Sequence, residues 1–336
     1  MKVWFDITNT PQVHFLLAIE RLLEKNLYQS IFTTRDFSET IKLLEQNIGN
    51  NFTVIGSHKG KNKIKKLIGI FSRLNDIRKK NIKFDVSVSC GSESAVWYAR
   101  LTGKKSVAFG DNDLAKQWTY SWFMDFAFFP NAIPEDILTR QGIKKSKLYQ
   151  YNGYKENIYI ADYTPDSDFY SKIPFREYVV LRAENLNANY IKNDQQNSIV
   201  PELADLLIKK GLNIIFLPRY KSDNDLLQEN EKIFIPSEPL NGLDLCYHAS
   251  AVLTGAGTLA REAACLGTPS VSFFAGDRLL AVDKDLIKKN KMFFSRVPAE
   301  IITYLITSEK SEADLKSSVW VRDEVKFKLN EVLNNF

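Results

Sequence analysis

Cysteine, histidine and methionine are all scarce, three of each in 336 residues. Cys90, Cys246 and Cys265 are odd in number, far apart and without CxxC spacing, which argues against a disulfide framework and against a zinc site. The histidines His14, His58 and His248 make no HxxxH pattern and no DxD accompanies them, so no bound metal and no cofactor are expected. No uninterrupted apolar run is long enough to span a bilayer, and the opening MKVWFDITNT lacks a charged leader followed by an apolar core and cleavage site. Secretion and membrane spanning are therefore not expected, and a reducing cytoplasm is the natural compartment. Low-complexity tracts and internal repeats are missing too.

What the chain does contain is ordinary for a globular protein. Its 336 residues and 38.5 kDa exceed most single domains and predict two, each with its own core. A formal charge of +5 and a pI near 8.8 are mildly basic, compatible with an acidic ligand or a membrane surface, and no nucleic-acid partner is expected. Apolar, β-branched runs alternate with helical patterns, the rhythm of a parallel sheet. Strands are predicted at 2–7, 30–34, 52–55, 86–89, 106–109 and 125–129, a six-strand first half. Between about 153 and 174 the pattern dissolves into turn residues and tyrosines, which predicts the boundary. Strands resume at 178–181, 213–217, 232–235, 251–254 and 270–274, with a helix near 197–210. The expected class is α/β: two doubly wound, Rossmann-like domains over 1–158 and 175–318, with a terminal helix over 319–336.

Residues 251–274 read AVLTGAGTLAREAACLGTPSVSFF, a strand, a glycine turn and a helix with a glycine stop. Glycine lets the backbone turn tightly and approach a ligand, and the unpaired N–H groups of a helix's first turn, with its dipole, favour an anion. Gly255, Ala256, Gly257 and Thr258 are candidate phosphate contacts, with Thr258 placed to cap the helix or bond a phosphate oxygen. Glu262, one helical turn on, lies on about the same face and can accept hydrogen bonds from ribose hydroxyls. A plain βα turn with a solvated glutamate would show the same local pattern.

Ligands of open α/β sheets bind beyond the carboxyl ends of strands. Arg182 and Arg219, at the ends of two second-domain strands, are the leading phosphate-binding side chains, although Arg219 also fits an ordinary surface arginine. At the end of the first strand Asp6, Asn9, Thr10 and His14 cluster. His14 is the general-base candidate because imidazole titrates near neutrality, with a structural histidine as the plain alternative. Asp6 would orient the imidazole or serve as base itself, and Glu93 and Asp111 at two further strand ends compete for that role. Asn9, Thr10, His58 and Ser92 are candidate contacts to an acceptor or a phosphate. Residues 59–80 are basic and amphipathic, with Ile64, Leu67, Ile68, Phe71 and Leu74 in one helical stripe. That segment is read either as a sheet-covering helix with a solvated face or as a peripheral contact to an anionic membrane.

TGAGTLAREAACLGTP resembles the nucleotide-binding motif of GT-B glycosyltransferases of the MurG type and of the non-hydrolysing UDP-N-acetylglucosamine 2-epimerases. In those families a small-residue turn holds the diphosphate, matched by Gly257 and Thr258, and a helix glutamate holds the ribose, matched by Glu262. MKVWFDITNTPQVHF, TTRDFSET, GSES and NGYKEN, together with that motif, resemble the DUF354 family, a largely archaeal, glycosyltransferase-like set. The resemblance covers nearly the full length. It implies a GT-B fold, two Rossmann-like domains facing a cleft with a terminal segment crossing back onto the first. It also implies a metal-independent transferase, using a UDP-linked sugar as substrate and a glycan or lipid-linked acceptor, at the inner face of the membrane if the 59–80 contact exists. Where the epimerases carry a catalytic histidine before Arg182, Glu184 and Asn185, this chain has Leu181. That difference favours transfer over epimerisation, with sugar-nucleotide hydrolysis and a non-catalytic nucleotide-binding role as alternatives. Oligomeric state is not legible.

Overall fold

The computed structural model describes residues 1–37, 39–57, 63–184, 186 and 197–336, with backbone only at 63–67 and 221. His58 and Asn185, both singled out above, lie outside the described residues. Two compact units emerge, Met1–Tyr159 with Ser318–Phe336, and Ile160–Ser317.

In the first unit the strands are β1 (Lys2–Ile7), β2 (Gln29–Asp36), β3 (Thr53–Ser57), β4 (Val86–Cys90), β5 (Lys105–Phe109), β6 (Phe126–Pro130) and β7 (Leu148–Tyr151). They pair parallel in the order β3-β2-β1-β4-β5-β6-β7. Six helices accompany them: α1 (Val13–Arg21), α2 (Thr40–Ile48), α3 (Lys63–Lys80), α4 (Glu93–Leu101), α5 (Glu135–Arg140) and α6 (Lys155–Ile160). The predicted six-strand half thus gains a seventh strand. Its sequence, LYQY, is only four residues long and half-buried at three of them, so no apolar run announces it.

The central strand β1 is buried at every position after Lys2, as a strand covered on both faces must be. One of those positions is an aspartate. The Asp6 carboxylate takes two hydrogen bonds from the Arg73 guanidinium of α3, at 2.8 and 2.6 Å, one from Thr33 of β2 at 2.7 Å and one from Ser92. Arg73 also donates to the Ile55 carbonyl of β3 at 3.0 Å, and Trp4 donates to Thr33 at 2.8 Å. A single buried ion pair therefore joins three strands, α3 and the start of α4. The inward face of α3 carries Arg73, Leu74 and Ile77, while Ile68 and Phe71 of the predicted apolar stripe are exposed. That stripe is rotated from the sequence expectation because the buried face of α3 includes a charge.

In the second unit β8 (Val179–Arg182), β9 (Ile214–Leu217), β10 (Ile233–Phe234), β11 (Ala251–Thr254), β12 (Ser270–Ser272) and β13 (Phe293–Phe294) pair parallel in the order β10-β9-β8-β11-β12-β13. The helices are α7 (Val200–Lys209), α8 (Gly242–His248), α9 (Gly257–Cys265), α10 (Ala281–Lys288) and α11 (Pro298–Thr307). Leu181, Phe216, Leu253 and Val271, from four adjacent strands, share one apolar core with Leu203 and Leu207 of α7. The last helix, α12 (Leu315–Asn334), belongs mostly to the first unit, where Tyr28 donates to Asn334 and Tyr149 to Glu324 at 2.7 and 2.8 Å.

The two units divide at Tyr159/Ile160, inside the turn-rich stretch read as a boundary, and that stretch is packed. Its first part forms α6, with Tyr154, Lys155, Glu156 and Asn157 all buried. The rest belongs to the second unit: Tyr163 and the Asp166 amide both donate to Asp244, and Phe169 stacks on His248 at 5.3 Å. Tyrosines that resemble a linker in sequence are here covering residues.

Burial works to raise the Asp6 carboxyl, but Arg73, Ser92 and Thr33 outweigh it and hold it below the usual carboxylate range. The stabilisation it provides is complete above the unfolded value of about 4 and is lost as pH falls through the lower folded value. Arg73→Met is expected to lower the unfolding free energy by about 3–5 kcal/mol, because it leaves a buried charge unpaired. Urea titrations should show that deficit shrinking as pH falls from neutral, because without Arg73 burial raises the Asp6 carboxyl and the folded variant is protonated there before the unfolded chain is. A deficit that is the same at all pH values would mean that the ion pair is not its source.

Candidate functional site

The strand order of the second unit reverses between β8 and β11, and the two chains leaving their carboxyl ends meet. Thr254 lies opposite Arg182 in register, and the Gly255 amide donates to the Arg182 carbonyl at 3.1 Å. A Cβ on Gly255 would stand 2.5 Å from the Glu184 Cα, so only glycine allows this approach. The Thr254 hydroxyl accepts from the Ala256 amide at 2.8 Å and shapes the turn. The N-cap of α9 is Ala256, whose side chain cannot cap, so the first turn of α9 carries no side-chain cap. Thr258, expected to be a capping candidate, sits inside that turn instead; its hydroxyl accepts a long hydrogen bond from Arg261 at 3.4 Å.

Two arginines complete this corner. Arg182 ends β8 and Arg219 follows β9, the neighbouring strand. Each has a buried Nε without a hydrogen-bond partner among the described residues. Burial first, then the like charge of Arg219, push Arg182 down to about 10 against the opposing pull of Glu262. Glu262 is buried on α9, where its charge acts on both Arg182 and Cys246. Two cations held close without full pairing, beside an uncapped helix start, form a corner that favours an anion with several oxygens.

The other charged groups around this corner are engaged. Glu184 accepts from the Ser198 hydroxyl, the Ile199 amide and Arg296, at 2.6, 3.1 and 3.3 Å. Arg261 is buried against Asp283 at 3.0 Å and stiffens the base of α9. Arg296 and Asp283 were not legible as parts of this corner, because each lies far along the chain in a segment without a motif.

In the first unit the sheet reverses between β1 and β4, where several candidates gather, and most prove structural. Asp6 is fully buried in its ion pair and is neither a base nor an orienter of His14. Ser92 is the N-cap of α4, accepting from the Ala95 amide and donating to Asp6, so its hydroxyl is not offered to a ligand. Asn9 accepts from Arg35 at 2.8 Å, and Thr10 is bonded to Thr40 at 3.1 Å, so both hold the loop. Gln12 clasps the same loop, accepting from the Thr8 amide and donating to the Cys90 carbonyl at 2.9 and 2.7 Å.

His14 stands in the first turn of α1, half-buried, and burial with the charge of Arg21 keeps its imidazole below its ordinary value. It is therefore neutral near pH 7, as a base must be. Glu93 accepts from Thr119 at 2.8 Å, and Asp111 pairs with the buried Lys155 at 2.6 Å. Lys155 also acts electrostatically on Cys90, whose thiol burial pushes up to about 12. Sequence reasoning missed Arg73, Arg35 and Lys155 as parts of this cluster. Arg73 could have been found as a charge inside the Leu74 and Ile77 face, whereas Lys155 in NGYKEN gave no local sign of burial.

A family model described as "Protein of unknown function (DUF354)" matches residues 1–336. An uncharacterized protein of Methanocaldococcus jannaschii is 28% identical over 320 residues, covering 91% of each chain. Among solved structures, the UDP-GlcNAc 2-epimerase of M. jannaschii in complex with UDP-GlcNAc and UDP superposes with a TM-score of 0.73 at 18% identity, over 98% of this chain and 100% of that one. The Neisseria meningitidis UDP-GlcNAc 2-epimerase bound to UDP-GlcNAc gives 0.73 at 14% identity, over 99% and 100%. The glycotransferase of kitacinnamycin gives 0.62 at 9% identity, over 99% and 98%. The fold is of the GT-B class, two Rossmann-like parallel-sheet units.

Inorganic pyrophosphate is expected to raise the thermal midpoint of the wild-type chain. In Arg182→Gln/Arg219→Gln the rise should vanish, while stability without the anion should stay within about 1 kcal/mol of wild type, because two mutually repelling charges are removed together. A double variant that still responds to pyrophosphate would place the anion elsewhere.

Proposed function

The chain belongs to the DUF354 family, and from that premise we propose that it is a metal-independent glycosyltransferase of the GT-B class acting on a nucleoside-diphosphate sugar, UDP-linked. The observation that carries this reading is the pair Arg182 and Arg219, each with a buried Nε unpartnered among the described residues, next to the uncapped start of α9. Such a corner suits the diphosphate, and its two guanidinium groups and helix dipole would stabilise the charge that develops on it as leaving group. Glu262 would accept from the ribose hydroxyls. The complexes of two structural neighbours with UDP-GlcNAc support a UDP-linked donor.

In the reaction an acceptor hydroxyl oxygen attacks the anomeric carbon, the bond from that carbon to the phosphate oxygen breaks, and the electron pair leaves with the diphosphate. His14, neutral at physiological pH, is the group assigned to take the hydroxyl proton. Asp111, neutralised by Lys155, is the weaker candidate. The acceptor is assigned to the class of glycans or lipid-linked sugars.

Epimerisation at the sugar C2 is a second reading, favoured by the epimerases among the structural neighbours. It requires groups that move a proton at that carbon. Leu181, which stands where those enzymes carry a histidine, is fully buried in the apolar core of the second unit, and this supports transfer instead.

Calorimetry with UDP and 2′-deoxy-UDP tests the nucleotide half of the proposal. UDP is expected to bind more tightly, and Glu262→Ala to weaken UDP about tenfold, the loss of a hydrogen bond to a charged group, while leaving pyrophosphate unchanged. Equal UDP affinity in both proteins would remove the ribose contact. NMR of UDP-N-acetylglucosamine incubated with the protein tests the reaction class, since a second hexosamine appearing without an acceptor would replace transfer by epimerisation.

A further inference from the structure

One exposed feature of the first unit plays no part in the chemistry above. Phe71 of α3 meets Trp97 of α4 edge-on at 6.2 Å between ring centroids, and Trp97 meets Phe123 of the loop after β5 at 5.7 Å. In these elements Ile68 is 61% exposed, Phe71 54% and Phe123 41%, and the same loop after β5 exposes Trp118 at 57% and Trp122 at 63%. Single exposed apolar residues are common and need no explanation. Here five of them come from two elements and are bridged by a third, and four are large aromatics. The loop is also held in place, since the Trp97 indole donates to the Thr119 carbonyl at 2.9 Å and Glu93 accepts from the Thr119 hydroxyl.

Charge decides what such a surface fits. The α3 sequence KIKKLIGIFSRLNDIRKK carries seven Lys or Arg against one Asp, and its first turn has no acid. Of the basic residues, Arg73 is consumed by Asp6. In the aromatic loop the acids are withdrawn, Asp111 into its pair with Lys155 and Asp113 into the interior, while Lys116 is exposed. Among the residues whose side chains are described, Arg78, Lys79 and Lys80 of α3 and Lys116 of the loop are exposed, so the exposed balance is basic beside tryptophan and phenylalanine, the side chains that settle at the boundary between lipid headgroups and acyl chains. A second copy docking through the same face would set lysine against lysine. An anionic bilayer satisfies both the apolar and the charged parts.

We propose that this face, formed by α3, α4 and the loop after β5, docks the protein on an anionic membrane surface. Ile68, Phe71, Trp118, Trp122 and Phe123 would enter the headgroup boundary, and Arg78, Lys79, Lys80 and Lys116 would face anionic headgroups. Among the described residues no helix is long and apolar enough to cross a membrane, so the attachment is peripheral and reversible. It uses none of the residues of the nucleotide corner and holds whether or not the glycosyl-transfer reading does.

Co-sedimentation of the full chain with vesicles tests it. Binding is expected to vesicles containing phosphatidylglycerol and not to phosphatidylcholine alone, and to weaken as salt is raised. Phe71→Ser/Trp118→Ser should lower partitioning at least about tenfold, and Lys116→Gln about fivefold, with unchanged thermal midpoints and unchanged pyrophosphate response. The vesicle and salt series on the unaltered protein stands even if a variant folds poorly. Equal partitioning to both vesicle types, or to neither, overturns the proposal. So does self-association in sedimentation velocity that Phe71→Ser/Trp118→Ser abolishes, because the face would then serve a second copy.

Discussion

The first unit depends on one buried ion pair. Asp6 lies buried near the carboxyl end of the central strand β1, whose neighbouring positions are apolar, and Arg73 reaches it from α3. A lone carboxylate there would cost several kcal/mol; with two guanidinium bonds and two hydroxyl donors it is fully satisfied. The consequence is positional. Thr33, Ile55 and Ser92 are all bonded to this pair, so β2, β3 and the start of α4 take fixed places around the reversal of the sheet. The loop after β1, clasped by Gln12 and Arg35, is fixed on that base and carries His14 at its end.

The second unit uses the opposite logic at its own reversal point. There positive charge is gathered and left incompletely paired: Arg182 and Arg219 repel each other, Arg182 is pushed down by that repulsion and by burial, and α9 starts without a cap. Neighbouring charges that would quench the corner are tied up elsewhere, Glu184 with Ser198 and Arg296, and Arg261 with Asp283. Two sheets with the same central order thus hold their reversal points differently, one neutralised and rigid, the other poised for an anion. Pairing makes a scaffold, and incomplete pairing makes a site.

The contrast explains which candidate residues could be assigned from sequence. Arg182, Arg219, Gly255 and Glu262 were singled out because strand ends and a glycine turn are local patterns, and the structure brings them to one corner. Asp6, Asn9, Thr10 and Ser92 have the same polar character at the same kind of position, yet their side chains are spent on Arg73, Arg35, Thr40 and the cap of α4. The partners of Asp6, Asn9 and Thr10 in these bonds lie between 26 and 67 residues away, and Ser92 donates to Asp6 across 86 residues, beyond the range of any local pattern. A polar residue at a strand end is equally readable as ligand contact or as structural bond until its partner is known.

Periodicity and turn chemistry, both local, sufficed for the α/β class, two halves and most strands, because parallel strands buried on both faces need continuous apolar runs. They failed where burial is not written in composition. Strand β7 is short and amphipathic, α6 buries a lysine and a glutamate, and Tyr163 of the boundary stretch is bonded into the second unit. The buried face of α3 was misjudged for a related reason, as it includes an arginine and leaves Phe71 outside. Sequence by itself determined where the chain turns, where strands end and which residues are chemically able to act. Only the tertiary structure decided which charges are paired, because pairing depends on groups distant in sequence meeting at separations of a few ångströms, and that meeting separates the scaffold of this protein from its candidate site.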